Sequence, residues 1–190
     1  VAWMGEEMPA EWMRAVKVPV KKKGNGQDFS DYRGVTLLSI VGKVLARILE
    51  VRLRRFVEER GLLADSQFGF RKGRACRDAL LILSEVIERR GDQHVYAAFL
   101  DIAKAYPSVW WDGMWKKLGD VGVGGRMLRV VKSAYAKYEV GVRVQGGVSE
   151  WYEEFVGLRE GCVLSPLLFA IYIDGVVGEL ESKGGRGITV

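Results

Sequence analysis

The most constraining feature of the sequence is a long stretch of helical periodicity in residues 40–60. Apolar residues recur there at spacings of three and four, with arginines on the other side, which predicts an amphipathic helix. Gly61 follows, as is usual just after a helix end. The 190 residues, 48% of them hydrophobic, leave room for about one domain in which to bury the apolar face. That face consists of Val44, Leu45, Ile48, Leu49, Val51, Leu53, Phe56 and Val57.

Four further segments have helical spacing, and several short runs between them read as strands. The predicted helices cover residues 77–90, 110–118, 126–138 and 166–180. The predicted strands cover residues 95–100, 140–145 and 151–156. Gly146-Gly147 predicts a hairpin between two of them. Residues 11–20 end in a short apolar run before a turn, and residues 35–39 predict a strand end that leads into a helix. Helices thus alternate with short, partly antiparallel strands, which predicts an α+β fold.

Composition excludes several classes of protein. No stretch approaches the roughly 20 apolar residues of a membrane span, so we expect no membrane partner. Two cysteines and one histidine argue against a disulfide scaffold or a structural zinc site, and for an intracellular protein.

The charge is concentrated in the N-terminal part of the chain. Residues 1–78 hold 16 Lys and Arg against 10 Asp and Glu, a net charge of +6, whereas residues 79–190 have a net charge of −1. A one-sided basic surface favours a polyanion partner, because each phosphate contact releases condensed counterions. The excess comes mainly from three basic clusters: Lys21-Lys22-Lys23, the group Arg47, Arg52, Arg54 and Arg55, and Arg71-Lys72-Gly73-Arg74 with Arg77. For any one of these clusters, a solvated helix face is the alternative.

Asp101 is the first candidate functional residue. It follows the predicted strand at residues 95–100, and a carboxylate there is costly to bury unless it is paired or bound to a metal. Mg²⁺ prefers such oxygen ligands, and the carbonyl of Ile102 is a candidate second ligand. The alternative is that Asp101 caps a following helix.

Three further segments combine glycine with polar or basic residues. In residues 157–166, glycines flank a polar pair before Ser165-Pro166, which opens a helix; a plain loop and helix cap is the alternative. Lys22-Lys23-Gly24 and Tyr32-Arg33-Gly34 predict a hairpin whose cations could hold a triphosphate. The segment QFGFR at residues 67–71 mixes aromatic and basic groups, as single-strand binding surfaces do.

Taken together and in this order, five segments resemble the reverse transcriptase domain of non-LTR (LINE-type) retrotransposons. They are VPVKKKG, YRGVTLLSIVGKVLARIL, QFGFRKGRACRDALL, AAFLDIAKAYPSV and GLREGCVLSPLLFAIYID. The resemblance runs from about residue 9 to residue 180 and implies a right-hand polymerase. It implies a fingers-type region in residues 1–94 and a partial palm in residues 95–190, with a helical insertion at about residues 108–138.

The resemblance also implies roles for individual residues. Asp101 is similar to the first catalytic, metal-binding aspartate, and Tyr106 to the aromatic gate that excludes a 2′-hydroxyl. The nucleotide-binding set it implies is Lys22, Arg33, Tyr106, Glu160 and Gly161, with Lys23 as an equal alternative to Lys22. The template-binding set it implies is Gln67, Gly69, Phe70, Arg71, Ser165 and Pro166.

Three departures from the family pattern bear on activity. Glu160 stands where the family usually has Gln, which adds negative charge near a triphosphate. Pro107 stands where the family often has Asp. No Asp-Asp pair occurs in the 190 residues, although the family's next motif carries one. We therefore expect an unfinished palm, with exposed apolar surface and strand edges, and little or no polymerisation by these residues alone.

The function implied is RNA-directed DNA synthesis, in which a primer 3′-hydroxyl attacks a dNTP at a site with two Mg²⁺ ions. The implied partners are an RNA template, a DNA primer, a dNTP and an upstream endonuclease in the same polyprotein, and the implied location is the nucleus. Two alternatives remain open at this stage. One is a non-catalytic RNA-binding remnant, and the other is a polymerase of the group II intron or retron type.

Overall fold

The computed structural model describes residues 5, 7–12, 14–22, 26–136 and 138–182. Helices and short strands alternate along them, which confirms the mixed α and β composition expected from the sequence. The strands are β1 (Ala15–Lys21), β2 (Tyr32–Leu38), β3 (Glu139–Val144), β4 (Gly147–Val148) and β5 (Tyr152–Glu153). The helices are α1 (Ile40–Glu59), α2 (Cys76–Arg90), α3 (Trp111–Asp120), α4 (Gly125–Ser133), α5 (Ser165–Ile173) and α6 (Gly175–Ser182).

The strands form one mixed sheet that combines both halves of the chain. β1 pairs antiparallel with β2 along its whole length and parallel with β3, with Ala15 opposite Val140. β4 and β5 both pair antiparallel with β3. The hairpin predicted at the Gly-Gly pair is confirmed, and its second strand begins at Gly147. The strand order is β2-β1-β3-β4, so β1 lies between β2 and β3 and joins the N-terminal strands to those of the second half of the chain.

The predicted helices at residues 40–60 and 77–90 are confirmed almost to the residue. Ser39 begins α1 by accepting a hydrogen bond from the Gly42 amide at 3.0 Å, as an N-cap does. Gly61 (φ +59°) and Gly91 (φ +55°) adopt the left-handed conformation where α1 and α2 end. Glycine adopts that conformation without the steric cost of a Cβ, so both helices end where the sequence indicates.

The core lies between α1 and the helices of the second half of the chain. It contains residues of α1, α3, α4 and α5 and of β3, so these elements pack together. Among its least exposed members are Leu49, Leu53, Val57, Met114, Leu118, Val130, Val131, Val140, Leu167 and Leu168. By contrast, no residue of α2 is buried.

The prediction of a buried strand at residues 95–100 is wrong. These residues are exposed and form no strand, with Phe99 81% and Leu100 85% accessible to solvent. A strand needs a neighbour that exchanges main-chain hydrogen bonds with it. No strand of the described sheet lies beside this run, so its apolar composition does not produce a strand.

Three other boundaries differ from the prediction. The helix expected over residues 126–138 ends at Ser133, the last residue of α4. The helix expected over residues 166–180 is two helices, α5 and α6, separated at Asp174. Asp174 Oδ1 accepts a hydrogen bond from the Ala64 amide at 2.9 Å, which ties this break to the loop after α1. The strand expected at residues 151–156 is only the two residues of β5. Within the described ranges, no helix has both the length and the apolar character needed to cross a membrane.

Candidate nucleotide-binding and metal-binding site

Residues 157–166, which we call the Glu160 loop, lie against strand β2. The Thr36 amide donates a hydrogen bond to the Glu160 carbonyl at 2.7 Å, so the loop extends the hydrogen bonding of the sheet. Gly161 has φ +102°, and a Cβ placed there would lie 3.0 Å from the Thr36 carbonyl oxygen. Both the backbone conformation and the close approach require glycine at this position.

The loop brings Glu160 beside Arg33 of β2. Arg33 Nε lies 3.8 Å from Glu160 Oε2, and the Arg33 side chain remains 65% exposed. An ion pair at this distance and exposure is weak, so the guanidinium can still bind another anion. Residues 127 positions apart in sequence thus form one charged surface.

Tyr106 lies near enough to Glu160 for the two side chains to interact electrostatically. Burial, and secondarily the negative charge of Glu160, raise the pKa of the Tyr106 hydroxyl above its usual value. The Tyr106 ring packs edge-to-face on Phe169 of α5 with centroids 5.2 Å apart. Its carbonyl accepts the Leu158 amide at 2.8 Å, so the Glu160 loop and Tyr106 hold each other. The sheet, this loop and Tyr106 therefore converge on one place.

Pro107 supports this arrangement with its main chain. Gly157 has φ +92°, and a Cβ there would lie 2.9 Å from the Pro107 carbonyl oxygen. The Gly157 amide also donates to the Val109 carbonyl at 2.9 Å. A side chain at residue 157 would separate the two segments, so this glycine too is needed for close approach.

The expected basic hairpin is formed by β1 and β2. The Lys22 amide donates to the Asp31 carbonyl at 2.7 Å and begins the connection between them. Lys22 is exposed and lies at the end of the hairpin beyond Arg33, since Lys21 pairs with Tyr32 and Val20 with Arg33. Lys23, the alternative to Lys22, lies outside the described residues.

Asp101 and Ile102 end an exposed run, residues 95–102, which we call the Asp101 segment. From the described part of the chain, no hydrogen bond or ion pair reaches the Asp101 carboxylate, so it does not cap a helix. Nor do the described residues contain a group of three or more His, Cys, Asp or Glu side chains placed to hold a metal. Among the described residues, Asp101 is therefore an exposed carboxylate that belongs to no such group.

The segment at residues 67–71 is fastened to α1 by two arginines. Arg54 of α1 donates to the Phe70 carbonyl at 2.7 Å. Arg71 forms an ion pair with Glu58 at 2.8 Å and donates to the Ala64 carbonyl at 2.8 Å. The Arg71 side chain is thus engaged within the fold, whereas Phe70 (φ +58°) projects an exposed ring. Gln67 turns back onto Ala64, and Gly69 has open space around it.

Ser165 and Pro166 form the start of α5. Ser165 is fully buried, and its Oγ donates to the Arg159 carbonyl at 2.9 Å, which closes the Glu160 loop. Pro166 occupies the first turn of α5, where its missing N–H costs nothing. These two residues shape the loop, and Ser165 does so from inside the protein.

Two buried charges near the site were not identified from sequence. Glu50 is buried in α1 and pairs with Arg47 and Arg54, which neutralises part of the basic helix. Its position inside the apolar stripe, with arginines three residues before and four after, is the signal that could have identified it. Arg159, next to Glu160, is buried against Tyr135 and Tyr138. Its sequence position between Leu158 and Glu160 gives no such signal.

Comparison with known proteins decides the family. Residues 20–189 match the profile described as "Reverse transcriptase (RNA-dependent DNA polymerase)". The chain belongs to the reverse transcriptase family. This confirms the resemblance stated from the five segments, all but the first few residues of which lie in the matched region.

Three relatives illustrate the match to this family. The chain is 30% identical over 167 residues to "Probable RNA-directed DNA polymerase from transposon BS" of Drosophila melanogaster, covering 86% of this chain and 18% of the relative. It is 28% identical over 167 residues to the RNA-directed DNA polymerase from mobile element jockey of the same organism, with the same coverages. It is 28% identical over 189 residues to the Pol polyprotein from retrotransposable element R2 of Popillia japonica, covering 96% and 26%. The chain therefore spans between 18% and 26% of the length of these reverse transcriptase relatives.

Proposed function

We propose that these residues form the fingers (residues 1–94) and part of the palm (residues 95–190) of an RNA-directed DNA polymerase of the LINE type. The reaction is attack of a DNA primer 3′-hydroxyl on the α-phosphate of a dNTP, directed by an RNA template, with pyrophosphate leaving. The observation that supports this best is the meeting of Arg33, Tyr106 and Glu160 on one surface, with Gly161 packed on β2.

Cations of the β1–β2 hairpin would bind the triphosphate. Arg33 is exposed and held at a fixed sheet position, and its planar guanidinium suits two phosphate oxygens at once. Lys22, with Lys23 as its alternative, would add a point charge at the end of the hairpin. These groups neutralise charge that builds up on the leaving pyrophosphate.

Tyr106 would lie under the deoxyribose and exclude a 2′-hydroxyl. Its ring is held by Phe169 and its carbonyl by Leu158, so it cannot move aside without disturbing the Glu160 loop. A fixed aromatic wall discriminates by steric exclusion. In this proposal Tyr106→Ala increases incorporation of ribonucleotides relative to deoxyribonucleotides, measured as the ratio of kcat/KM values.

Mg²⁺ fits the chemistry of the Asp101 segment. The Asp101 carboxylate has no hydrogen bond or ion pair with the described residues, and the Ile102 carbonyl follows it directly in the chain. Proteins often bind Mg²⁺ through one or two carboxylates, with water and substrate phosphates completing the shell. The ion, when bound, stabilises negative charge on the reacting phosphate. Asp101 would hold it, and Ile102 would contribute a carbonyl oxygen.

The template would run along residues 67–71 towards α5. The exposed Phe70 ring offers a face on which a base can stack, and Gly69 leaves room for close approach of the backbone. Arg71 and Gln67 hold this segment in place through Glu58 and Ala64. Ser165 and Pro166 set the direction of α5 beside the nucleotide.

Primer extension on poly(rA)/oligo(dT) with Mg²⁺ tests the proposal. In a polypeptide that carries these residues together with an Asp-Asp motif, Asp101→Ala should reduce extension by at least about 100-fold. Asp92→Ala, an exposed acid in the turn after α2, is the matched control and should extend normally. Full activity of Asp101→Ala would contradict the metal role. Salt-dependent RNA binding without any nucleotide addition by the control would instead favour a non-catalytic RNA-binding protein.

A further inference from the structure

Arg159 is a buried cation enclosed by two aromatic rings. It is 6% exposed, and its guanidinium carbon lies 4.0 Å from the centroid of the Tyr138 ring and 4.7 Å from that of Tyr135. Both tyrosines follow α4, so the contact joins the helical segment to the Glu160 loop. Cations stack on aromatic faces at these distances, and the attraction is strongest where water is excluded.

This arrangement leaves part of a buried charge without hydrogen-bond partners in the part of the chain that the structure describes. Within the described residues, Arg159 Nε and Nη2 have no hydrogen-bond partner although both atoms are buried. A buried charge with unsatisfied donors is unfavourable, and apolar side chains of similar volume are often equal or better for stability. The guanidinium therefore needs an explanation other than stability.

The main chain at Arg159 explains what its side chain holds in place. The Arg159 carbonyl accepts hydrogen bonds from the Cys162 amide at 3.2 Å and from Ser165 Oγ at 2.9 Å. The next carbonyl, that of Glu160, accepts the Thr36 amide of β2. Fixing Arg159 thus fixes the residues on either side of Gly161, where the loop meets the sheet.

We propose that Arg159 is a positioning residue: its stacking between Tyr135 and Tyr138 holds Glu160 and Gly161 against β2 in the geometry that the incoming dNTP meets. The expected effect on dNTP binding rests on the proposed polymerase function. The positioning of the loop by Arg159 does not. Arg159 does not touch the nucleotide in this account. It acts through the loop.

The ring faces, and not the hydroxyl groups, carry this contact. The hydroxyls of Tyr135 and Tyr138 are buried, and no partner for them is found among the described residues. Tyr138→Phe keeps the aromatic face and removes only an unpaired hydroxyl, whereas Tyr138→Leu removes the face. The two variants therefore separate stacking from hydrogen bonding.

Amide hydrogen exchange in the 190-residue chain tests the positioning directly. Arg159→Met and Tyr138→Leu should each speed exchange of the Thr36 amide by about tenfold, because the Glu160 carbonyl is no longer held. Arg159→Lys, which keeps the charge but not the planar group, should lie between Arg159→Met and wild type. Tyr138→Phe and the exposed control Arg89→Met should match wild type, and exchange in the middle of α1 should stay unchanged in every variant.

Steady-state primer extension by the longer polypeptide, which carries these residues together with an Asp-Asp motif, gives the functional readout. Arg159→Met should raise KM for dNTP by about tenfold while kcat changes by less than about threefold, since the residue acts on binding geometry. Unchanged Thr36 exchange in Arg159→Met, or equal effects of Tyr138→Phe and Tyr138→Leu, would overturn the proposal. If the wild type shows no extension, the proposed function fails, while the exchange measurement still decides the role of Arg159. Should Arg159→Met not fold, the Tyr138 pair and Arg159→Lys give the same decision.

Discussion

The Glu160 loop and the Asp101 segment both carry residues of the proposed site, yet their surroundings are opposite. The loop is bound to β2, to Tyr106 and to two aromatic rings by contacts from distant parts of the chain. The segment is exposed and receives no main-chain hydrogen bond from the described residues. In the proposed site, the triphosphate side would therefore be organised in advance by these residues, whereas the metal side would not. Four changes to the protein test this contrast.

Removal of leucine side chains should show the largest difference between the two regions. Leu164 in the loop is 2% exposed, and Leu164→Ala should lower the free energy of unfolding by about 2 to 5 kcal/mol. Leu100→Ala, the matched change in the Asp101 segment, should change it by less than about 0.5 kcal/mol, because that side chain contacts mainly water. Urea denaturation of both variants makes the comparison. Equal losses would show that the segment is packed in solution.

Glycine replacement in the loop should have the next largest effect. Gly161→Ala places a Cβ against the Thr36 carbonyl and requires a left-handed conformation, so we expect a loss of about 1 to 3 kcal/mol. Gly69→Ala is the control, because nothing lies within 4 Å of the added atom. Its midpoint of denaturation should match wild type. If Gly161→Ala left the free energy of unfolding unchanged, the loop would not lie on β2 as described.

Neutralising Glu160 should improve triphosphate binding. Glu160 lies near Arg33 and competes with phosphate for it, so Glu160→Gln should tighten dNTP binding by about two- to fivefold at low salt. The gain should shrink as ionic strength rises, because added ions screen the charge. Isothermal titration calorimetry with a dNTP measures this, with the exposed Glu150→Gln as control. Weaker binding by Glu160→Gln would show that the carboxylate helps to hold the nucleotide.

Alkaline pH should lower the stability of the protein around the loop, by less than the substitutions above. Burial raises the pKa of Tyr135 to about 12. The unfolded chain loses this proton near the ordinary pKa of about 10, so the stabilisation is complete below pH 10 and is lost as pH rises towards 12. Tyr135→Phe should reduce that loss and change stability little at pH 7, since no described residue is bonded to its hydroxyl. Urea midpoints at pH 7, 10 and 12 give the test.

The sequence predicted local structure well where the apolar periodicity of a helix stops at a glycine. The bounds of α1 and α2 follow from their apolar spacing and from Gly61 and Gly91, and the β1–β2 hairpin follows from its flanking glycines. The strand at residues 95–100 was predicted wrongly, because an apolar run reports only that burial is favourable and not whether a partner strand lies beside it. The same limit applies to Asp174, whose bond to Ala64 is a tertiary contact.

For the proposed site, the order of motifs along the chain predicted roles for Arg33, Tyr106 and Glu160, but not that these residues lie near one another. The approach of Arg33 to Glu160 depends on the long-range hydrogen bond between the Thr36 amide of β2 and the Glu160 carbonyl, which the sequence does not encode locally. Arg159 went unrecognised because its aromatic partners lie more than twenty residues away in sequence. Arg71 was expected at the template, and only the fold shows that Glu58 holds its side chain.

The parallel pairing of β1 with β3 also has a consequence for the order of folding. β1 and β2 are joined by a short connection and can pair as soon as both have left the ribosome. β3 begins more than 100 residues after β1 ends, and closing so long a loop carries an entropic cost that only later contacts offset. The Glu160 loop follows β3 in the chain and joins β2 through a contact of still greater sequence separation, the Thr36–Glu160 hydrogen bond. The proposed nucleotide surface should therefore form in a late kinetic phase of folding, after the hairpin that carries Arg33.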